Sequence, residues 1–124
     1  MIYTKTLKQN TDFRRMYYCG CCKAGRDLIV YAARGKRSET RIGITVSKKV
    51  GNAVVRNRVR RIILAAYRQL EKEEDFKGYR FVIVARKSAA NRKSGDLYLQ
   101  LKKQIPVAIS MTLKKNKKTQ RKKK

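Results

Sequence analysis

The sequence predicts a small α/β domain, because two strand-like segments flank one long amphipathic helix. Residues 41–47 alternate in polarity, with Ile42, Ile44 and Val46 on one face, which is typical of a half-buried strand. Residues 81–84 form a continuous apolar run, as in a strand covered on both faces. Residues 55–70 repeat apolar side chains at helical spacing. A helix of this length between two strands predicts a crossover between parallel strands.

The N-terminal part begins with polar and basic residues 1–10, which are expected to form an extended arm. Thr11 and Asp12 are suited to cap a first helix, with Phe13, Met16 and Tyr17 on one face. That helix is expected to end at residues 19–22, where a glycine is the natural stop. Residues 28–33 form a β-rich run and predict a further strand.

The C-terminal part contains the rest of the predicted domain and a tail. Asn52 stands where the N-cap of the central helix would lie. A last helix begins near residues 94–96 and carries Leu97, Leu101 and Ile105, and Pro106 is expected to kink or interrupt it. Residues 114–124 hold 8 basic residues among 11 and are expected to be disordered when unbound. These boundaries predict a single domain over residues 11–113.

The composition is strongly basic, with 34 Lys and Arg against 8 Asp and Glu and a formal net charge of +26. Charge of this density repels itself in a compact state and calls for a polyanionic partner. Nucleic acid is the leading candidate and an anionic membrane surface the second. No apolar run approaches the roughly 18 residues of a membrane-spanning helix. The first residues also lack the features of a secretory signal, so a cytoplasmic location is expected.

The apolar content is low for a folded domain, since Leu, Ile, Val and Phe make up 29 of the 124 residues. This is close to the composition at which highly charged chains are disordered. We therefore expect a marginally stable protein that sulfate, phosphate or RNA stabilises by binding the native state.

The central helix is dense in arginine. At about 100° per residue, five polar side chains fall away from its apolar face, and Arg58 lies at the margin of that face; the five are Arg56, Asn57, Arg60, Arg61 and Arg68. A planar guanidinium group donates two hydrogen bonds at once to a phosphate. A merely solvated surface is the alternative, but such surfaces normally carry interleaved acids, which this one lacks. RNA contact is the preferred interpretation.

The segment just before this helix has the features of an anion-binding site. Residues 47–52 place Lys48, Lys49 and Gly51 between the end of a strand and a helix N-terminus. Free backbone N–H groups and the positive end of the helix dipole attract anions at such a point. Many strand–helix turns share these features, so the segment alone does not name the ligand.

Residues 47–61 read Ser-Lys-Lys-Val-Gly-Asn-Ala-Val-Val-Arg-Asn-Arg-Val-Arg-Arg, which closely resembles the signature of the bacterial ribonuclease P protein family. That signature is centred on an Arg-Asn-Arg motif. Ala85, Arg86 and Lys87 after the last strand also resemble the family, as do Asp12 and Phe13 in the first helix. The resemblance covers about residues 5–105, and its fifteen-residue core is highly specific.

The resemblance implies an α/β (α+β) sandwich like the second domain of ribosomal protein S5. A small mixed sheet would be packed by helices in the order α-β-β(-β)-α-β-α, with an uncommon left-handed βαβ crossover. The spacing of the segments alone would predict the usual right-handed sense. Ser88 stands where a proline is expected in the family, so the turn after Lys87 is expected to differ.

The resemblance also implies that the protein binds the catalytic RNA of ribonuclease P, in a 1:1 complex, and the 5′ leader of precursor tRNA. It would thereby assist endonucleolytic removal of the leader. The residues that would bind the RNA subunit are Lys48, Lys49, Asn52, Arg56, Asn57, Arg58, Arg60, Arg61 and Arg68. The residues that would line the leader cleft are Phe13, Tyr17, Tyr31, Thr45, Ser47, Arg86 and Lys87. Aromatic rings stack on bases of any sequence, although from their spacing alone Phe13 and Tyr17 also fit core positions.

The polypeptide lacks the residues of a protein nuclease. It has no histidine, the usual general acid and base, and its acids show no spacing suited to a two-metal site. Four of the eight acids cluster at residues 71–75, where a solvated surface is the expected explanation. Cys19, Cys21 and Cys22 lie too close together to form a tetrahedral metal site and are expected to be free thiols. By resemblance, the active site and its Mg²⁺ ions belong to the RNA subunit, and the chain alone binds no metal or other cofactor.

Two other functions fit parts of the sequence. A ribosomal or other structural RNA-binding protein would share the basic tail and the small core, and would co-sediment with a ribosomal subunit. A membrane-active cationic protein would need a basic amphipathic helix that is free to insert. The central helix is instead predicted to be held between two strands.

Overall fold

The computed structural model describes residues 4–7, 13, 14, 16, 17, 21–35 and 39–122, with side chains up to residue 113. Phe13, Arg14, Met16 and Tyr17 are helical, and we call them the N-terminal helical segment. The other elements are β1 (Thr4–Thr6), β2 (Cys21–Ala24), β3 (Leu28–Arg34), β4 (Thr40–Val46), α1 (Ala53–Glu73), β5 (Tyr79–Ala85), a 3₁₀ helix (Lys87–Asn91) and α2 (Ser94–Lys122). The predicted α/β class is confirmed.

The strands form one five-stranded mixed sheet in the order β1-β4-β5-β3-β2. Strand β4 is parallel to β1 and β5, whereas β3 is antiparallel to β5 and β2. Helix α1 connects the adjacent parallel strands β4 and β5, as the spacing of the apolar segments predicts. The left-handed sense of this crossover stays a prediction.

Each face of the sheet carries its own apolar layer. The larger layer lies between the sheet and the two helices, with Phe81 and Ile83 of β5 packed among Tyr67 of α1 and Leu101 of α2. The smaller layer lies on the opposite face and is built on Leu7, Met16 and Val82. Because alternate residues of β5 enter the two layers, this central strand is covered on both faces, as its apolar run predicts.

The first edge of the sheet differs from the prediction, because Thr4–Thr6 of the predicted arm form strand β1. The Thr4 backbone N–H donates to a Glu71 carboxylate oxygen at 3.1 Å, and the Thr4 hydroxyl bonds to the Tyr67 hydroxyl at 2.9 Å and to the Glu71 carboxylate. Glu71 is buried, so the prediction that the acids at this helix end form a solvated surface is wrong for Glu71. We call these hydrogen bonds the Glu71 clamp. They join residues more than sixty positions apart in the chain, so no local pattern in the sequence predicts them.

The opposite edge of the sheet, strand β2, also differs from the prediction. Cys21 and Cys22 begin strand β2 rather than ending the first helix, because they pair with Ala32 and Tyr31 of β3. The predicted cap at residues 11 and 12, the glycine stop and Cys19 lie outside the described residues. The predicted disorder of residues 114–124 stays a prediction.

Helix α2 continues through Pro106, so the predicted interruption does not occur. A proline removes one backbone hydrogen bond and strains the preceding turn, at a cost of about 3 kcal/mol. Leu101 and Ile105 before it and Ala108 after it are fully buried against the sheet. Packing on both sides of an exposed Pro106 holds the two halves in one helix.

Candidate nucleic-acid interface

The loop between β4 and α1 presents two lysines at the start of the helix. Ser47, Lys48 and Lys49 are exposed, whereas Val50 is buried and anchors the loop. The Asn52 side-chain oxygen accepts a hydrogen bond from the Val55 N–H at 3.0 Å, which confirms the predicted N-cap. The loop therefore brings two ammonium groups close to the positive end of the helix dipole.

The outer surface of α1 is cationic and open. Arg60, Arg61 and Arg68 are exposed, as is Asn57, and in the part of the chain that the structure describes no ion pair reaches these arginines. The opposite side of the helix buries Val59, Ile63, Ala66, Tyr67 and Leu70. We call Lys48, Lys49, Asn57, Arg60, Arg61 and Arg68 the arginine surface.

Arg56 differs from Arg60, Arg61 and Arg68 in its burial, and Arg58, which is also exposed, differs from them in its hydrogen bonds. The Arg58 guanidinium donates to the carbonyl of Ala90 at 2.8 Å and to that of Arg92 at 3.4 Å. Arg58 thus ties α1 to the turn between the 3₁₀ helix and α2, a structural role that its sequence position does not reveal. Arg56 is half-buried, so less of its guanidinium is available to a partner.

The predicted leader cleft lies on the opposite face of the sheet, under the N-terminal helical segment. The rings of Tyr17 and Tyr31 meet edge to face with centroids 5.1 Å apart. The Tyr17 hydroxyl lies 2.9 Å from the hydroxyl of Thr45 on β4. Phe13 packs directly on the backbone of Gly43, where a Cβ atom would come within 2.6 Å of the ring.

These aromatic residues are not equally available to a ligand. Tyr17 is exposed, whereas Phe13 and Tyr31 are half-buried and pack against the smaller apolar layer. Burial raises the pKa of the Tyr31 hydroxyl, and the neighbouring Cys22 and Tyr17 raise it further. Tyr31 therefore stays a neutral hydrogen-bonding group. A core position fits the half-buried Phe13 better than the exposed Tyr17, and stacking of these rings on bases stays a prediction.

Arg86 and Lys87 are exposed at the end of β5, and the β2–β3 turn holds their segment in place. The Arg86 N–H donates to the Asp27 carbonyl at 2.8 Å, and the Ser88 hydroxyl donates to the Arg26 carbonyl at 3.2 Å. The residue that departs from the family pattern, Ser88, thus makes a contact that proline could not make. The turn also brings the exposed Arg26 to this end of the sheet, which the sequence did not predict.

Asp27 is a buried carboxylate at the centre of this turn and was missed by sequence reasoning. Its carboxylate pairs with Arg92 at 3.0 Å and accepts a hydrogen bond from the Gln100 side chain. Burial acts to raise the pKa of Asp27, but the neighbouring polar side chains of Ser88 and Gln100 and the charges of Arg92 and Arg26 outweigh it, and the pKa lies below its ordinary value. A lone acid in a turn gives no sequence signal that would distinguish it from a solvated one.

The predicted residues thus form two separate groups. The arginine surface lies on the helix side of the sheet, and Phe13, Tyr17, Tyr31 and Thr45 lie together on the other side. Arg86, Lys87 and Ser47 are exposed at strand ends between them.

Among the described residues no group of three or more His, Cys, Asp or Glu side chains could hold a metal ion, and no described helix is long and apolar enough to cross a membrane.

Comparisons with known proteins identify the family. The statistical model of the family described as Ribonuclease P matches residues 1–108. The chain belongs to the ribonuclease P protein family. It is 42% identical over 99 residues to the ribonuclease P protein component of Clostridioides difficile, covering 80% of this chain and 87% of that protein. It is 44% identical over 86 residues to the ribonuclease P protein component of Bacillus velezensis, and the match covers 68% of this chain and 72% of that protein.

The solved structures of this family share the fold. The Staphylococcus aureus RNase P protein superimposes with a TM-score of 0.73 and 31% identity, covering 83% of this chain and 94% of that chain. The Thermotoga maritima RNase P protein superimposes with a TM-score of 0.69 at 22% identity, covering 78% and 91%, which supports the fold alone. The family match favours a subunit of ribonuclease P over the ribosomal and membrane-active alternatives.

Proposed function

We propose that this protein acts as the protein component of ribonuclease P by binding two RNAs on two surfaces. The arginine surface binds the RNA subunit in a 1:1 complex. The aromatic face binds the single-stranded 5′ leader of precursor tRNA and so assists its endonucleolytic removal. The observation that carries this proposal is the placement of a cationic surface and an aromatic surface on opposite faces of one rigid sheet.

The electrostatics support the assignment of the first surface. Arg60, Arg61 and Arg68 project from a helix whose other side is fixed in the core, so the spacing of the backbone positions that carry them is set before binding. A backbone that is already ordered lowers the conformational entropy lost when these cations meet phosphates. They also release counterions from the RNA, which makes the affinity depend on salt.

The chemistry of the second surface suits a ligand of variable sequence. An exposed tyrosine next to a partly buried one offers ring faces on which any base stacks, at about 1–3 kcal/mol per base. Thr45 adds a hydroxyl group beside the Tyr17 hydroxyl. Arg86 and Lys87 at the strand ends are placed to meet the backbone phosphates of the same strand of RNA.

Catalysis is proposed to reside in the RNA subunit, which would also hold the Mg²⁺ ions. Among the described acids, Asp27 and Glu71 are buried and hydrogen-bonded within the fold. Asp75 and Asp96 accept hydrogen bonds from the backbone N–H groups of Lys77 and Lys93. These carboxylates therefore stabilise turns and helix ends, and the chain, which has no histidine, contributes binding rather than proton transfer.

Reconstitution tests this proposal. The protein, combined with the RNA subunit of a related bacterial ribonuclease P, should release the 5′ leader from precursor tRNA at a low Mg²⁺ concentration at which neither component acts alone. The complex should also bind precursor tRNA more tightly than mature tRNA. Equal affinity for the two tRNAs, or co-sedimentation with a ribosomal subunit in place of RNA-subunit binding, would contradict the proposal.

A further inference from the structure

A cleft opens at the edge of the sheet where the short strand β1 ends. Strand β1 pairs with Thr40, Arg41 and Ile42 of β4, and the Leu7 N–H donates to the Ile42 carbonyl at 2.9 Å. The cleft, of about 200 Å³, lies next to this point. Its floor is residues 42–44 of β4, and its walls include Leu7, Phe13, Leu64 and Arg60. We call it the edge cleft.

We propose that the edge cleft binds one unpaired nucleobase of an RNA, with Arg60 bound to the adjoining phosphate. The inference rests on the proposed function, because it names a third point at which RNA contacts this protein. The base comes from the RNA subunit or from the precursor leader, and the experiments below distinguish the two sources.

The composition of the walls matches the two halves of a nucleotide. Leu7 and Phe13 on one side and Leu64 on the other offer apolar surface, which favours a flat ring that leaves water. Arg60 is exposed at the rim and has no ion pair among the described residues. A guanidinium beside an apolar slot is suited to hold the phosphate of the nucleotide whose base enters the slot.

The size and rigidity of the edge cleft also fit a base. A cavity of about 150 Å³ accepts a benzene ring, so the larger edge cleft has room for a nucleobase. The Phe13 ring lies against Gly43 without space for a Cβ atom, and the Glu71 clamp holds β1 in place. The walls are thus set before the ligand arrives, which lowers the entropic cost of binding.

The position of the edge cleft explains why two RNAs could reach it. Arg60 belongs to the arginine surface, whereas Phe13 belongs to the face of the predicted leader cleft. The edge cleft therefore lies at the boundary between these two surfaces. An RNA bound on either surface can insert one unstacked base into the edge cleft and keep its other contacts with that surface.

A substitution that fills the edge cleft tests the proposal without changing the charge of the protein. Leu64→Phe places a ring in the edge cleft, and Leu99→Phe, at an exposed position on α2, is the matched control. Leu64→Phe should weaken binding to either the RNA subunit or the leader-bearing precursor by about tenfold, the effect of losing about 1.4 kcal/mol, with an unchanged salt slope. Arg60→Ala should weaken the same step and lower the slope by about one phosphate contact. The step affected identifies the source of the base.

A titration of the wild-type protein gives a second test that does not depend on any variant. Millimolar adenosine 5′-monophosphate should shift the methyl NMR signals of Leu7, Ile44 and Leu64, and inorganic phosphate alone should not. Unshifted signals, or a Leu64→Phe protein that binds both RNAs like Leu99→Phe, would overturn the proposal. A wild-type protein that shows these shifts but does not reconstitute with the RNA subunit would contradict the proposed function instead.

Discussion

At the scale of single residues, Tyr17 is the aromatic side chain most available to a ligand on the leader face. It is 40% exposed, whereas Phe13 and Tyr31 are half-buried. Tyr17→Ala should therefore weaken binding of leader-bearing precursor by about 1–3 kcal/mol, the value of stacking one base, and leave mature tRNA binding unchanged. Tyr98→Ala, the same substitution on the helix side of the sheet, is the control. Equal losses for the two variants would contradict the assignment.

Asp27 gives a prediction about stability and pH. Since its folded pKa lies below the ordinary value of 3.8, its stabilising contribution is complete above that value and is lost as the pH falls through the folded pKa. Asp27→Asn should lower the free energy of unfolding at neutral pH by about 1–3 kcal/mol. The difference between the two proteins should shrink in strong acid. Urea unfolding across this pH range measures it, and a difference independent of pH would contradict the charge-based explanation.

At the scale of elements, the arginines of helix α1 have two different roles, because Arg58 holds the fold together and Arg61 is free to contact RNA. Arg58 donates to two carbonyls of the turn before α2, whereas Arg61 is exposed and has no ion pair among the described residues. Arg58→Ala should lower stability by about 1 kcal/mol. Arg61→Ala should leave stability unchanged and flatten the salt dependence of RNA-subunit binding by about one phosphate.

Thermal unfolding and RNA titrations at several salt concentrations separate the two effects. Lys103→Ala, which removes one exposed charge from α2, is the charge-matched control for Arg61→Ala. The division of α1 would be wrong if Arg58→Ala and Arg61→Ala changed stability equally. It would also be wrong if Lys103→Ala changed the salt slope as much as Arg61→Ala.

The elements also show what the sequence could predict. Strand β4, helix α1 and strand β5 follow from periodicity because each buries one or two whole faces, and burial sets the pattern of apolar residues. Strand β1 could not be predicted, since its position depends on Thr4 contacting Tyr67 and Glu71 far along the chain. The presence of Pro106 wrongly predicted an interruption, because its exposed ring stays outside the packed face of α2 and the helix continues through it.

The candidate site shows the same division. The family signature located Lys48, Lys49 and the arginines of α1, because local spacing fixes which side chains share a helix face. The edge cleft and the Asp27 turn could not be found this way. Each of them brings together residues from three or more segments, and only the tertiary structure defines these contacts.

At the scale of the whole molecule, a net charge of +26 acts against the compact state that displays it. Self-repulsion destabilises the fold, and an anion that binds the native protein relieves that repulsion at its site. Millimolar sulfate should therefore stabilise the protein relative to chloride at equal ionic strength. A gain of about 1 kcal/mol corresponds to a rise of about 4–8 °C in Tm for a domain of this size.

A general effect of sulfate on folding must be separated from binding at the arginine surface, because sulfate also favours compact states by exclusion from protein surfaces. Two double variants that each remove two exposed charges make this separation: Lys48→Ala with Lys49→Ala, and Lys102→Ala with Lys103→Ala. If sulfate binds at the N-terminus of α1, the first pair should lose most of the rise in Tm and the second should keep it. Calorimetry in matched chloride and sulfate buffers measures the rise, and equal losses in both pairs would mean that net charge, and not a built anion site, sets the stability of this molecule.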